Sequence, residues 1–183
     1  MPDFKVHTVE SAPEGSRAWM RGLHEQIGFV PNLAASMAEA PALLEAFVTL
    51  QTIGHRTSLS PLERQVIAVA VATETGCTYC VAAHSTFALK SGAEGAVVDA
   101  VRARTPLGDA RLDALARFAR SIVHRQDDAR QCAEQLLRVG LSRAQVLETL
   151  VAIAVPVLAT SVFQLTDVKL DGAFQPRAWA RTA

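Results

Sequence analysis

Along most of the chain, apolar residues return every three to four positions, the period of one helix face. Trp19, Leu23 and Ile27 set such a face on a helix over residues 14–27, and Gly28 and Pro31 punctuate its end. Leu43, Leu44, Phe47, Val48 and Leu50 give the next helix a broad apolar face. That helix starts at Pro41, where a missing N–H costs nothing, and ends near Gly54. In SPLE, residues 60–63, Ser60 is a cap, Pro61 a first helical residue and Glu63 the reciprocal partner of a capping box. The helix that follows runs through VIAVAV, residues 66–71, to about Thr75. Its β-branched residues would also suit a buried strand, but the cap and the length favour helix.

Gly76 breaks the pattern just before Cys77, and a new helix from about Thr78 to Ser91 is closed by Gly92. Further helices are predicted over 94–103, 110–124 and 128–138, with TPLGD, residues 105–109, as a loop and Gly140 as a terminator. Ser142 with Gln145, and Leu141 against Val146, start a last long helix that Pro156 should kink or split. Residues 1–12 read as an arm and 170–183 as an extended tail. Trp179 in that tail is either a packing anchor, on a neighbouring subunit for instance, or an exposed aromatic. The prediction is an all-α domain of about seven or eight helices. Its continuous apolar faces exceed what a small bundle must bury, so a homo-oligomer is expected.

Composition narrows the partners. The 183 residues suit one domain, half of them hydrophobic, with 18 basic and 18 acidic side chains. Only Lys5, Lys90 and Lys169 are lysines, and no dense basic run suggests nucleic acid. MPDFKVHTVE is unlike a signal peptide, so a cytoplasmic location is the default. The longest apolar run, within LVAIAVPVLATSVF, residues 150–163, is short of a membrane span and reads as a buried helix. GAEGAVVDA, residues 92–100, lacks a dinucleotide-binding pattern, and no organic cofactor is expected.

The chemistry concentrates in GCTYC and VAAH, residues 76–84. On a helix Cys77, Cys80 and His84 form one stripe. The spacing of the cysteines allows a disulfide across the first turn, and unpaired N–H groups there favour thiolate. His84, one turn beyond Cys80, can take the proton that Cys80 loses, which makes Cys80 the better nucleophile and Cys77 the better resolver. Three readings stand: a redox pair, a metal site, or packed cysteines. A thioredoxin-type context of alternating strands and helices is not visible. A zinc site would need a fourth ligand beside Cys77, Cys80 and His84, from Glu74 or a partner chain. Glu74 relays protons or tunes Cys77, or else faces solvent. Gln65 can hydrogen-bond into the site but is neither acid nor base. Glu63 is a cap residue, His55 follows Gly54 in a turn that either approaches the pocket or stays clear of it, Tyr79 packs or donates to peroxide, and Cys132 is a small buried residue.

LSPLERQVIAVAVATETGCTYCVAAHS, residues 59–85, resembles the AhpD-like, peroxidase-related branch of the carboxymuconolactone decarboxylase family. The resemblance extends to VPNLAASMAEAPALLEAF, residues 30–47, covers about residues 25–105, and continues more loosely into helices over about 109–169. It implies an all-helical AhpD-like fold assembled as a trimer or hexamer. It also implies that the second cysteine, Cys80, attacks a hydroperoxide, Cys77 resolves it, His84 assists, and an external dithiol restores both thiols. The glutamate that such members carry twelve residues before the first cysteine is replaced here by Gln65, leaving its role to Glu74 or water. The decarboxylase branch uses no redox disulfide, and the presence of both cysteines speaks against it.

Overall fold

The computed structural model describes residues 4–124 and 128–180, so the ends of the expected arm and tail lie outside the described residues. Within it the chain forms α1 (Glu14–Ile27), α2 (Asn32–Met37), α3 (Pro41–His55), α4 (Pro61–Thr75) and α5 (Thr78–Lys90). There follow α6 (Gly95–Ala103), α7 (Ala110–His124), α8 (Ala129–Arg138), α9 (Arg143–Thr166) and a 3₁₀ turn over Gly172–Arg177. No strand occurs among the described residues. The short α2 was not expected. Its six residues follow Pro31 too closely to show a period, and burial of Leu33, Ala34, Ala35 and Met37 holds them helical.

α4 is the central element. Both partners of the Ser60–Glu63 capping box are engaged. Val66 through Thr73 are all buried, as expected of a helix apolar on every side. Each Val or Ile side chain removed from water there contributes about 1.5–3 kcal/mol. Packing of α4 against α5, α7 and α9 answers the strand alternative.

Two clusters of buried side chains flank this axis. One gathers α1, α2, α3, α5 and the C-terminal half of α9 around Met20, Leu44, Val81 and Val162. The other gathers α4, α6, α7 and α8 around Ile67, Val69, Leu115 and Leu136. α9 serves both, through Ile153 in one and Ala159 in the other.

Pro156 does not split α9, which runs for 24 residues with Pro156 inside it. The lost hydrogen bond is offset by burial of Ala152, Ile153, Pro156 and Ala159. The helix exceeds the expected apolar run and is, by length and composition, long and apolar enough to cross a membrane. It lies against α3, α4 and α8 instead. Leu147 and Leu165 nevertheless stay 66 % and 63 % exposed on it.

Both termini are more tightly held than an arm and a tail. The His7 backbone N–H donates to the Ala35 carbonyl, and its imidazole Nε2 lies 2.6 Å from a Glu39 carboxylate oxygen. At the other end Phe174 is 1 % exposed, and Trp179 packs, half-buried, on the first cluster of its own chain. Cys132 is half-buried and free rather than fully enclosed.

Candidate active site

Gly76 ends α4 with φ +71°, a left-handed conformation that glycine adopts without strain. The chain thereby turns from α4 directly into α5, with Cys77 as the residue that caps it. The Cys80 backbone N–H donates to Cys77 Sγ at 3.1 Å, so the first cysteine sits at the positive end of α5. Cys77 and Cys80 are joined as a disulfide, their Cα atoms 5.3 Å apart, and each is 2 % exposed.

The two sulfurs differ in what they face. Cys80 lines a partly open pocket together with His84, Phe47, Phe87, Ala159 and Phe174. Cys77 is absent from that lining. The walls are mainly apolar, contributed by α1, α2, α3, α5 and α9, with the 3₁₀ turn closing one side.

His84 stands one turn along α5 from Cys80 and also borders this pocket. Its Nδ1 lies 2.9 Å from Gln65 Oε1. An amide oxygen only accepts, so Nδ1 carries the proton and Nε2 keeps a free lone pair. Burial pushes the imidazole down to about 4, leaving it neutral at pH 7.

Glu74 is not brought to this group. Its carboxylate lies 3.3 Å from both Arg104 Nε and Arg120 Nε and 2.6 Å from His124 Nε2, on the α6 and α7 side of α4. The expectation that Glu74 relays protons for the cysteines is therefore corrected: Arg104, Arg120 and His124 hold it elsewhere. The metal alternative loses Glu74 as its fourth ligand. Among the described residues no group of three or more His, Cys, Asp or Glu side chains is arranged to hold an ion. Glu63 acts as the expected cap and pairs also with Arg111.

Tyr79 takes a role that its position between the cysteines did not reveal. Its hydroxyl donates to the Asp171 carboxylate and accepts from the Leu33 N–H at 3.3 Å. Asp171 also accepts from the Asn32 N–H, at 3.1 and 3.2 Å from its two oxygens. Burial first, then the Asp171 carboxylate, pushes the phenol up, so it remains protonated. This latch holds the C-terminal segment against α5, and Phe174 packs edge-on to Tyr79 and Phe87. Asp171 and Phe174 were missed in the sequence. Two aromatics past the last long helix, Phe174 and Trp179, were the signal for the segment.

Comparison with known proteins bears on this arrangement. The model of the carboxymuconolactone decarboxylase family matches residues 41–120, a span holding α4, α5, both cysteines, Gln65 and His84. Over those residues the chain is similar to the carboxymuconolactone decarboxylase family. Its fold is the AhpD-like form found in solved structures along nearly the whole chain. A peroxidase-related protein of Ralstonia eutropha, described as an alkylhydroperoxidase AhpD core, superposes with a TM-score of 0.81 at 22% identity, covering 95% of each chain. A peroxidase-related protein of Silicibacter sp. gives 0.79 at 20% identity, over 96% of this chain and 94% of that one. A cysteine-to-alanine variant of the debrominase Bmp8, in complex with 2,3,4-tribromopyrrole, gives 0.82 at 19% identity, over 97% and 96%. No curated protein matches by sequence. The place of the relay glutamate expected from the resemblance is occupied by Gln65, and that amide is what touches His84.

Proposed function

We propose that this protein reduces organic hydroperoxides through a Cys77–Cys80 dithiol–disulfide cycle. The observation that supports it is that Cys80, and not Cys77, shares an apolar pocket with a histidine whose Nε2 is free to take a proton. In the reduced protein the Cys80 thiol gives its proton to His84 and the thiolate attacks the terminal oxygen of ROOH. The O–O bond breaks, the proton passes to the departing RO⁻ as ROH, and Cys80 becomes a sulfenic acid. The Cys77 thiol condenses with it, releasing water and closing the disulfide. A separate dithiol donor reduces that bond by exchange and is itself oxidised. Gln65 fixes the His84 tautomer but supplies no charge, so protonated His84 is poorly stabilised and thiolate forms only as attack proceeds. Turnover should accordingly be slow.

The test treats reduced protein with one equivalent of cumene hydroperoxide in the presence of a dimedone probe. In Cys77→Ser the label should accumulate on Cys80, and in Cys80→Ser it should vanish. Label on Cys77 instead reverses the roles, and neither label nor disulfide in wild type defeats the reading.

The likeness to a debrominase, together with the apolar pocket, favours one second reading: an aryl bromide and the two thiols give the arene, bromide, a proton and the same disulfide. Bromide release from 2,3,4-tribromopyrrole by reduced protein, in step with loss of thiols, separates it from peroxide reduction.

A further inference from the structure

Behind His84 lies a second pocket, which the proposed cycle touches only at its edge. It opens to solvent and is lined by Gln51, His55, Arg64, Gln65 and His84 over a floor that includes Pro156. Gln51 and His84 border both pockets, so the two meet at the imidazole. The character of the second is set by Arg64. One guanidinium nitrogen donates to the Leu59 carbonyl, and among the described residues no carboxylate lies within ion-pair distance of the others. The nearest acid in sequence, Glu63, is engaged by Arg111 and the Ser60 N–H. Glu148, which reaches the same end of α4, accepts from Ser58. His55 faces this guanidinium; burial and the Arg64 charge lower its pKa, so it brings a hydrogen-bonding ring without a second charge. The pocket thus combines one half-buried cation with the side-chain amides of Gln51 and Gln65. A guanidinium removed from water without an anion is poorly solvated, and a planar two-oxygen acceptor matches its donor fork.

We propose that this polar pocket is a carboxylate-binding subsite, and that the molecule acted on at Cys80 is an organic acid with an apolar body. The body lies in the pocket of Cys80 and the carboxylate reaches past His84 to Arg64. The proposal rests on the reading that the Cys80 pocket holds the substrate, and it adds the polar end of that substrate.

The disulfide form is used for the test, because it cannot turn over. Binding of 4-phenylbutyrate and of 4-phenylbutan-1-ol is measured by calorimetry. The acid should bind about tenfold tighter or more than the alcohol, the difference that a charge-assisted hydrogen bond supports. Arg64→Gln should abolish that preference while leaving the alcohol's affinity unchanged. Arg64→Lys, which keeps the charge but not the fork, should retain part of the preference. Equal affinity of the two probes in wild type overturns the proposal, as does Arg64→Gln weakening both probes alike. Preference for the acid in a protein that fails to reduce peroxide would defeat the peroxidase reading and leave the subsite standing.

Discussion

Replacing Gln65 by glutamate sets a carboxylate against the imidazole of His84, and the structure fixes both direction and size of the effect. In the wild type, burial lowers this histidine from 6.5 to about 4. At about 1.36 kcal/mol per unit, the protonated form is disfavoured by at most about 3.4 kcal/mol, less where the ring edge meets solvent in the pockets. Between pH 4 and 6.5 the unfolded chain binds a proton here that the folded chain does not. Stability from this group is therefore present above about pH 6.5 and is lost as the pH falls toward 4. A carboxylate accepting the Nδ1 hydrogen, 2.9 Å away in the present geometry, should raise His84 by about 1–3 units. The acid-induced loss of stability should shrink to match.

The assay is a proton NMR titration of the His84 ring in both proteins, with denaturant unfolding at pH 5 and pH 7.5. If His84 accepts the Cys80 proton, each unit gained also raises the thiolate–imidazolium population about tenfold. Sulfenic acid formation in Gln65→Glu should then accelerate at pH 7. The reasoning is refuted if wild-type His84 titrates at or above 6.5, or if Gln65→Glu leaves its titration unmoved.

Glu74→Gln should cost about 2–4 kcal/mol in denaturant unfolding, since it strands Arg120 while the exposed Arg104 and His124 lose less. Cysteine alkylation rates should not change, and a slowed Cys80 would restore a relay role to this residue. Phe174→Ala should cost about 3–5 kcal/mol and speed alkylation of reduced Cys80 by a bulky maleimide more than by iodoacetamide. Equal acceleration by both reagents would mean general loosening rather than an enlarged pocket. Paired Leu147→Glu and Leu165→Glu changes on the exposed apolar side of α9 should dissociate the expected homo-oligomer in sedimentation, and a monomeric wild type would remove its basis.

Local signals in the sequence located most of the helices. Proline and glycine punctuation, the capping boxes at Ser60 and Ser142 and the long apolar faces act within a few residues of where they appear, so they can be read along the chain. What failed was decided by contacts distant in sequence. A split at Pro156 stayed open because the rule for proline is local, whereas buried neighbours on α3 and α4 keep α9 whole. The C-terminal segment read as an extended tail because Asp171 has no partner nearby in sequence. Tyr79 and Asn32, 92 and 139 residues away, supply the partners.

The site divides along the same line. Cys77, Cys80 and His84 share one stretch of chain, and their spacing alone joined them. Glu74 looked equally close, three residues before Cys77, yet a residue at the end of α4 can point to either side of the turn at Gly76. Arg104 at the end of α6 and Arg120 and His124 on α7 take its carboxylate away from the disulfide. The assignment of nucleophile depends on the same kind of placement. The amide N–H of Cys80 favours thiolate at Cys77, and on electrostatics alone the first cysteine would attack. In the proposed cycle Cys80 has the pocket and His84 beside it, while Cys77, outside the pocket lining, waits and then closes the disulfide.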